Sequence, residues 1–76
     1  MAGSKDVEKV FVALLNEGVD VWRPVDAVRV YDDVFRILDQ PYDSGVETWQ
    51  FVPGEVVLCE LVESSEGKIL AAVRRA

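Results

Sequence analysis

Val7-Glu8-Lys9-Val10-Phe11-Val12-Ala13-Leu14-Leu15-Asn16-Glu17-Gly18 is the stretch whose reading decides the fold. Read as a helix, it places Val7, Val10, Phe11, Leu14 and Leu15 at i, i+3, i+4, i+7 and i+8, which makes one apolar stripe. Asp6 would then be the N-cap and Gly18 the C-cap. Read as a strand, Val10 to Leu15 is a continuous apolar run, half of it β-branched or aromatic, as suits a strand covered on both faces. Periodicity leaves both readings open: an all-β domain, or an α+β domain with an N-terminal helix over Val7 to Glu17 packed on a sheet.

The next residues speak for strands. From Val19 to Tyr31 one side carries Val21, Arg23, Val25, Ala27 and Arg29, and the other Trp22, Pro24, Asp26, Val28 and Val30. That is a period of two. Pro24 has no N–H for a ladder, so it belongs at an edge or a bulge. Tyr31-Asp32-Asp33 reads as a turn into a short strand, Val34 to Leu38. Asp39 to Gly45 is a loop built of turn formers. A fourth strand is expected over Val46 to Val52 with Trp49 and Phe51 on one face. Pro53-Gly54 breaks it, Glu55 to Val62 resumes as a strand, and Lys68 to Arg74 closes the domain after a polar loop. Short β runs between regular turns predict a five- or six-stranded antiparallel meander.

Two further patterns bear on the β reading. Phe51-Val52-Pro53-Gly54-Glu55-Val56-Val57 looks like the turn-then-strand signature of small SH3-like barrels, with glycine at a position that needs positive φ. Together, Leu14 to Val25 (containing Glu17-Gly18 and Val21-Trp22-Arg23-Pro24-Val25) and Trp49-x-Phe51-x-Pro53-Gly54-x-x-Val57 resemble a group of small uncharacterised bacterial proteins. The resemblance spans roughly Val10 to Val73. It implies an SH3-like barrel, a strand at the contested N-terminal stretch and a bacterial setting, and it carries over no activity. The expected organisation is therefore a disordered tail or cloning remnant at residues 1–5 and a single small β domain at 6–76.

Composition narrows the chemistry. Half of the 76 residues are hydrophobic, more than a chain too polar to fold carries, but a domain this small has thin stability and gains from self-association. No run of about 18 apolar residues is present to span a membrane, and the N-terminus lacks a signal-peptide pattern. The cytoplasm is the expected compartment. The net charge is −6, and only Arg74 and Arg75 are adjacent basic residues. Phosphate backbones reward clustered cations, so nucleic-acid binding is disfavoured.

The single cysteine and the absence of histidine rule out a disulfide within the chain, a structural zinc site of the usual kind and a Ser-His-Asp triad. Cys59, inside Val56-Val57-Leu58-Cys59, reads as a small core hydrophobe. Ser44, Ser64 and Ser65 lie in loops. Asp32-Asp33 and the Asp39–Asp43 pair have only part of a calcium-loop pattern and read as solvated turns. No catalytic residue, metal or cofactor is expected.

The aromatic residues are the remaining candidates. Trp22, Tyr31, Tyr42, Trp49 and Phe51, with Asp20, Asp43 and Glu47 near them in sequence, could cage a cationic group; their alternative role is core packing. Trp22, Arg23, Tyr42 and Trp49 form the expected binding set. The expected function is a non-catalytic protein- or peptide-binding or assembly module, and the alternative is a small-molecule or cation-binding domain using an aromatic pocket. The Val56 to Val62 run is also a candidate edge for pairing with a peptide strand or a second copy.

Overall fold

Val10 and Val12 point into a shared interior while Phe11 between them is half-buried on the other face, so the contested stretch is a strand. In the computed structural model, which describes residues 6–17 and 21–76, five strands follow one another: β1 (Val7–Ala13), β2 (Trp22–Tyr31), β3 (Val34–Ile37), β4 (Val56–Ser64) and β5 (Gly67–Arg75). The tail expected at residues 1–5 and the turn expected at Gly18, with Val19 and Asp20, lie outside the described residues. A helix would have exposed half of the Val10 to Leu15 run. As a strand, β1 covers one face with the core and pairs along its whole length with β2, from Val7 opposite Val28 to Ala13 opposite Trp22.

Strands β1 to β5 close in sequence order into an all-β, SH3-like barrel. The ladder is antiparallel at every step but one: β1 meets β5 in parallel, with Phe11 opposite Ala71. That departs from the fully antiparallel expectation, and topology requires it. A meander with an odd number of strands returns to its first strand running in the same direction. The core is Val10, Val12, Val25, Ala27, Phe35, Ile37, Val57, Cys59 and Ala72, with Trp49 and Phe51 added from outside the strands. Among the described residues no helix is long and apolar enough to cross a membrane.

Pro24 shows why β2 tolerates a proline. Leu14 N–H donates to the Val21 carbonyl, and bonded pairs then alternate along an antiparallel ladder, so Phe11–Pro24 is a non-bonded pair and the proline nitrogen faces away from β1. On that far side β3 has already ended. Its place is taken by the Gln40 side chain, whose Oε1 accepts from Asp26 N–H at 3.0 Å while its Nε2 donates to the Asp26 and Leu38 carbonyls at 2.9 and 2.8 Å. One amide side chain thus imitates a strand edge. Gln40→Ala is expected to cost about 2–3 kcal/mol, from three bonds at about 1 kcal/mol each, and Gln40→Glu at least as much because a carboxylate would face two carbonyls. Urea unfolding measures both.

The fourth expected strand, Val46 to Val52, does not form. Its alternation survives, since Trp49 and Phe51 are buried and Gln50 is exposed. The ladder is limited to a single bridge, Leu14 opposite Trp49, flanked by Leu15 N–H to Thr48 carbonyl and Gln50 N–H to Ala13 carbonyl. It stops there because the partner strand runs out: Asn16, with φ 65°, turns the chain away. At the other end, Val52 N–H donates to the Glu55 carboxylate instead of a strand. Gly54 takes φ 95°, the positive value expected of it. The whole stretch between β3 and β4 is therefore an irregular segment drawn across one mouth of the barrel.

The expected pairing edge, Val56 to Val62, is shorter than anticipated. Val56 to Leu58 already pair with β3 on one side, leaving only residues 60–64 with β5 as their one ladder partner. Leu61 is 68% exposed there, between Glu60 and Glu63, charges that guard an open edge.

Candidate functional site

Arg23 lies on the interior-facing side of β2, as the period-two reading places it, but one step beyond the buried Val25, so its guanidinium emerges at the mouth crossed by the 38–55 segment. There Arg23 Nε donates to Glu47 Oε1 at 3.0 Å and Nη2 donates to Oε2, a two-pronged ion pair. Such forked pairs fix geometry as well as charge. The same Glu47 Oε1 accepts the indole N–H of Trp49 at 3.0 Å. Glu47 therefore ties β2 to the ring that plugs the barrel. Trp49 is only 6% exposed, and the Tyr42 ring leans on it with centroids 4.6 Å apart at 46°. Asp43 sets the turn: its Oδ1 accepts Gly45 N–H and its carbonyl accepts Val46 and Glu47 N–H.

These groups enclose an open cleft of about 360 Å³ lined by Arg23, Pro24, Pro41, Tyr42, Val46 and Trp49, with Gln40, Asp43 and Glu47 completing the rim. Val46 stands 74% exposed at its edge. Hydrogen bonding to Arg23, and then to Trp49, holds the Glu47 carboxyl below the usual glutamate range. At Glu55, burial opposes the charge, but Val52 N–H and Arg75 outweigh it and the shift is also downward. A carboxylate with a depressed folded-state pKa contributes stability above its unfolded pKa, and this is lost as pH falls through the folded value. Thermal melts are therefore expected to worsen below about pH 4, and Glu47→Gln, which loses the charge, should flatten that acid limb.

Of the expected binding residues, Arg23, Tyr42 and Trp49 come together and Trp22 does not. Trp22 sits on the outer side of β2, opposite Ala13, and lines a separate cleft of about 230 Å³ with Phe11, Val21 and Ile69 beside the Ser64-Ser65-Glu66 turn. The two indoles therefore share no pocket, because neighbouring parities on one strand and a mouth-crossing loop put them on different faces. Trp49 is a core residue that lines the cleft while staying almost wholly buried. Asp43 and Glu47 are engaged by Gly45 and by Arg23. Gln40, Pro41 and Val46 were not expected in the site. Nothing in a loop sequence marks an amide that replaces a strand.

The opposite mouth is closed by Arg29, whose guanidinium lies 4.7 Å above the Phe35 ring and within 3.7 and 3.9 Å of Glu8 and Asp33. Cys59 packs beneath it, 1% exposed. Burial, and then the Asp33 charge, push its thiol up to about 11 against the opposing effect of Arg29, so it is protonated at neutral pH and is a poor nucleophile. Among the described residues, no three Asp, Glu or Cys side chains converge as metal ligands. Neither family models, nor curated proteins, nor solved structures yield a match to this chain.

Proposed function

We propose that the chain is a non-catalytic binding module that takes a short protein or peptide segment in the Arg23–Tyr42–Glu47 cleft. The observation that carries this reading is the preorganisation of the cleft. Gln40 pins one wall to β2, and Glu47 pins the other to Arg23 and Trp49. Binding to walls already held in place loses little to ordering. Pro24, Pro41, Tyr42 and Val46 offer apolar contact on an open surface, which suits a side chain of an extended segment better than an engulfed small molecule. The net charge of −6 favours a basic segment. A bacterial, cytoplasmic setting belongs to the same reading and rests on the sequence resemblance.

Panning a random peptide display library on the intact chain tests it. Enriched peptides that carry basic and apolar residues, and that lose binding to Val46→Asp, support the proposal. Val46 is exposed enough for that change to leave the fold intact. No enrichment, or enrichment indifferent to Val46→Asp, overturns it. A small organic cation is the second reading, favoured by Tyr42 standing beside Asp43 at the rim. Titration with tetramethylammonium and arginine, followed at the Tyr42 ring by NMR, separates it from the first.

A further inference from the structure

Residues 60–64 of β4 run on past the start of β3, whose first residue, Val34, lies opposite Leu58. At the end of that ladder Cys59 N–H donates to the Asp33 carbonyl. Bonding directions alternate along an antiparallel strand, so Leu61 and Glu63 turn their N–H and C=O groups to the same side as Cys59, where β3 has run out. Glu60, Val62 and Ser64 turn theirs towards β5, opposite Ala71, Ile69 and Gly67. The register shift beside Cys59 leaves this alternation intact. Leu58 opposes Arg74 and Cys59 opposes Ala72, so the extra residue is Val73 and the bulge lies in β5. No described residue bonds the main chain of Leu61 or Glu63, and Glu60, Leu61 and Glu63 are all exposed. Such an edge is a template for a further strand.

Charge selects what can fill the edge. Glu60 and Glu63 stand on its two faces, Asp32 and Asp33 at the turn where β3 begins, and Glu66 at the tip of the β4–β5 hairpin. The basic side chains nearby are fewer. Lys68 lies opposite Glu63 and Arg74 opposite Leu58, and Arg29 is already within 3.7 and 3.9 Å of Glu8 and Asp33. A second copy would add its own Glu60 and Glu63 to the new ladder, where like charges destabilise, on top of a net charge of −6 on each chain. A basic segment meets opposite charges instead. Glu63 also shares an open cleft of about 330 Å³ with Trp22, Ser64 and Ser65, so a cation beside it gains an indole. Leu61 on one face and Val62 on the other offer apolar contact. We propose that the open edge of β4 takes an extended segment of another protein as an added strand, with two basic residues three apart, one against Glu60 and one against Glu63. Main-chain bonds to Leu61 and Glu63 supply the hold, and the alternating side chains supply the selection. None of these edge residues lines the Arg23–Tyr42–Glu47 cleft, so this is a second binding surface.

The probe is the capped hexapeptide acetyl-Val-Lys-Val-Val-Lys-Val-amide, titrated to millimolar concentration into the full chain and followed by NMR. The Leu61 and Glu63 amides are expected to shift and to exchange more slowly with solvent as the peptide binds. A copy of the peptide N-methylated throughout keeps both charges and has no ladder donor, and should bind at least about tenfold more weakly. Glu60→Lys combined with Glu63→Lys, at two exposed positions, should abolish binding of the parent peptide, and Val46→Asp should leave it unchanged. Absence of binding overturns the proposal. Equal binding of the N-methylated copy, which would show attraction by charge alone, overturns it too. So does binding that Val46→Asp removes, which would place the peptide in the Arg23–Tyr42–Glu47 cleft. Slowed exchange at Leu61 and Glu63 that grows with protein concentration, without peptide, would show a second copy on the edge and equally overturn it.

Discussion

Trp49→Ala is expected to remove about 3–5 kcal/mol and to leave the chain at the margin of folding. A 76-residue domain has a total of about 4–11 kcal/mol to lose. The reason is the number of parts this ring holds together. It fills the mouth of the barrel, receives Tyr42 on one face, gives Glu47 its indole N–H, and sits at the single bridge to Leu14. Truncation leaves a cavity at the mouth and frees the 38–55 segment from β1. Trp49→Phe keeps a ring but not the N–H, and is expected to cost about 1–2 kcal/mol. Guanidinium unfolding of both variants checks the ranking. Equal losses would mean that the N–H to Glu47, and not the buried ring, does the holding.

Phe35→Ala should be comparably damaging, again about 3–5 kcal/mol, though Phe35 does not line the cleft. Phe35 is 0% exposed on the shortest strand, in register with Arg29 on one side and Val57 on the other. Its loss also takes away the ring beneath the Arg29 guanidinium. For a domain of this size each kcal/mol is worth about 4–8 °C, so the melting midpoint is expected to fall by more than about 12 °C. Phe35→Leu keeps most of the volume and should fall less. Differential scanning calorimetry reads both. A midpoint within a few degrees of wild type for Phe35→Ala would contradict the placement of this ring at the centre of the barrel.

The strands were largely legible in the sequence because burial imposes a period of two. β2 could be read residue by residue, including the side on which Arg23 and Arg29 lie and the peripheral setting of Pro24. Gly54 revealed itself by its need for positive φ. The N-terminal stretch was different. A run apolar on both faces fits two geometries, and β1 is decided by its register with β2, a long-range fact. The 38–55 segment was the least legible. Trp49 and Phe51 alternate as a strand would, yet the backbone bonds that would make it one depend on where β1 turns away at Asn16. The same distance in sequence hid Gln40 as a replacement strand edge. It also hid the separation of Trp22 from Trp49, which results from a loop crossing the mouth and from nothing local to either indole.

The central claim is that the 38–55 segment closes the barrel through Trp49 and builds the Arg23–Tyr42–Glu47 cleft upon it. Its most direct test is the fluorescence of Trp49 alone, in a Trp22→Phe chain, with acrylamide as quencher. A buried indole predicts blue-shifted emission that acrylamide barely quenches, and a red shift with full quenching on denaturation. Native emission already red-shifted and freely quenched would show Trp49 in water, and the mouth, the plug and the cleft would fall together.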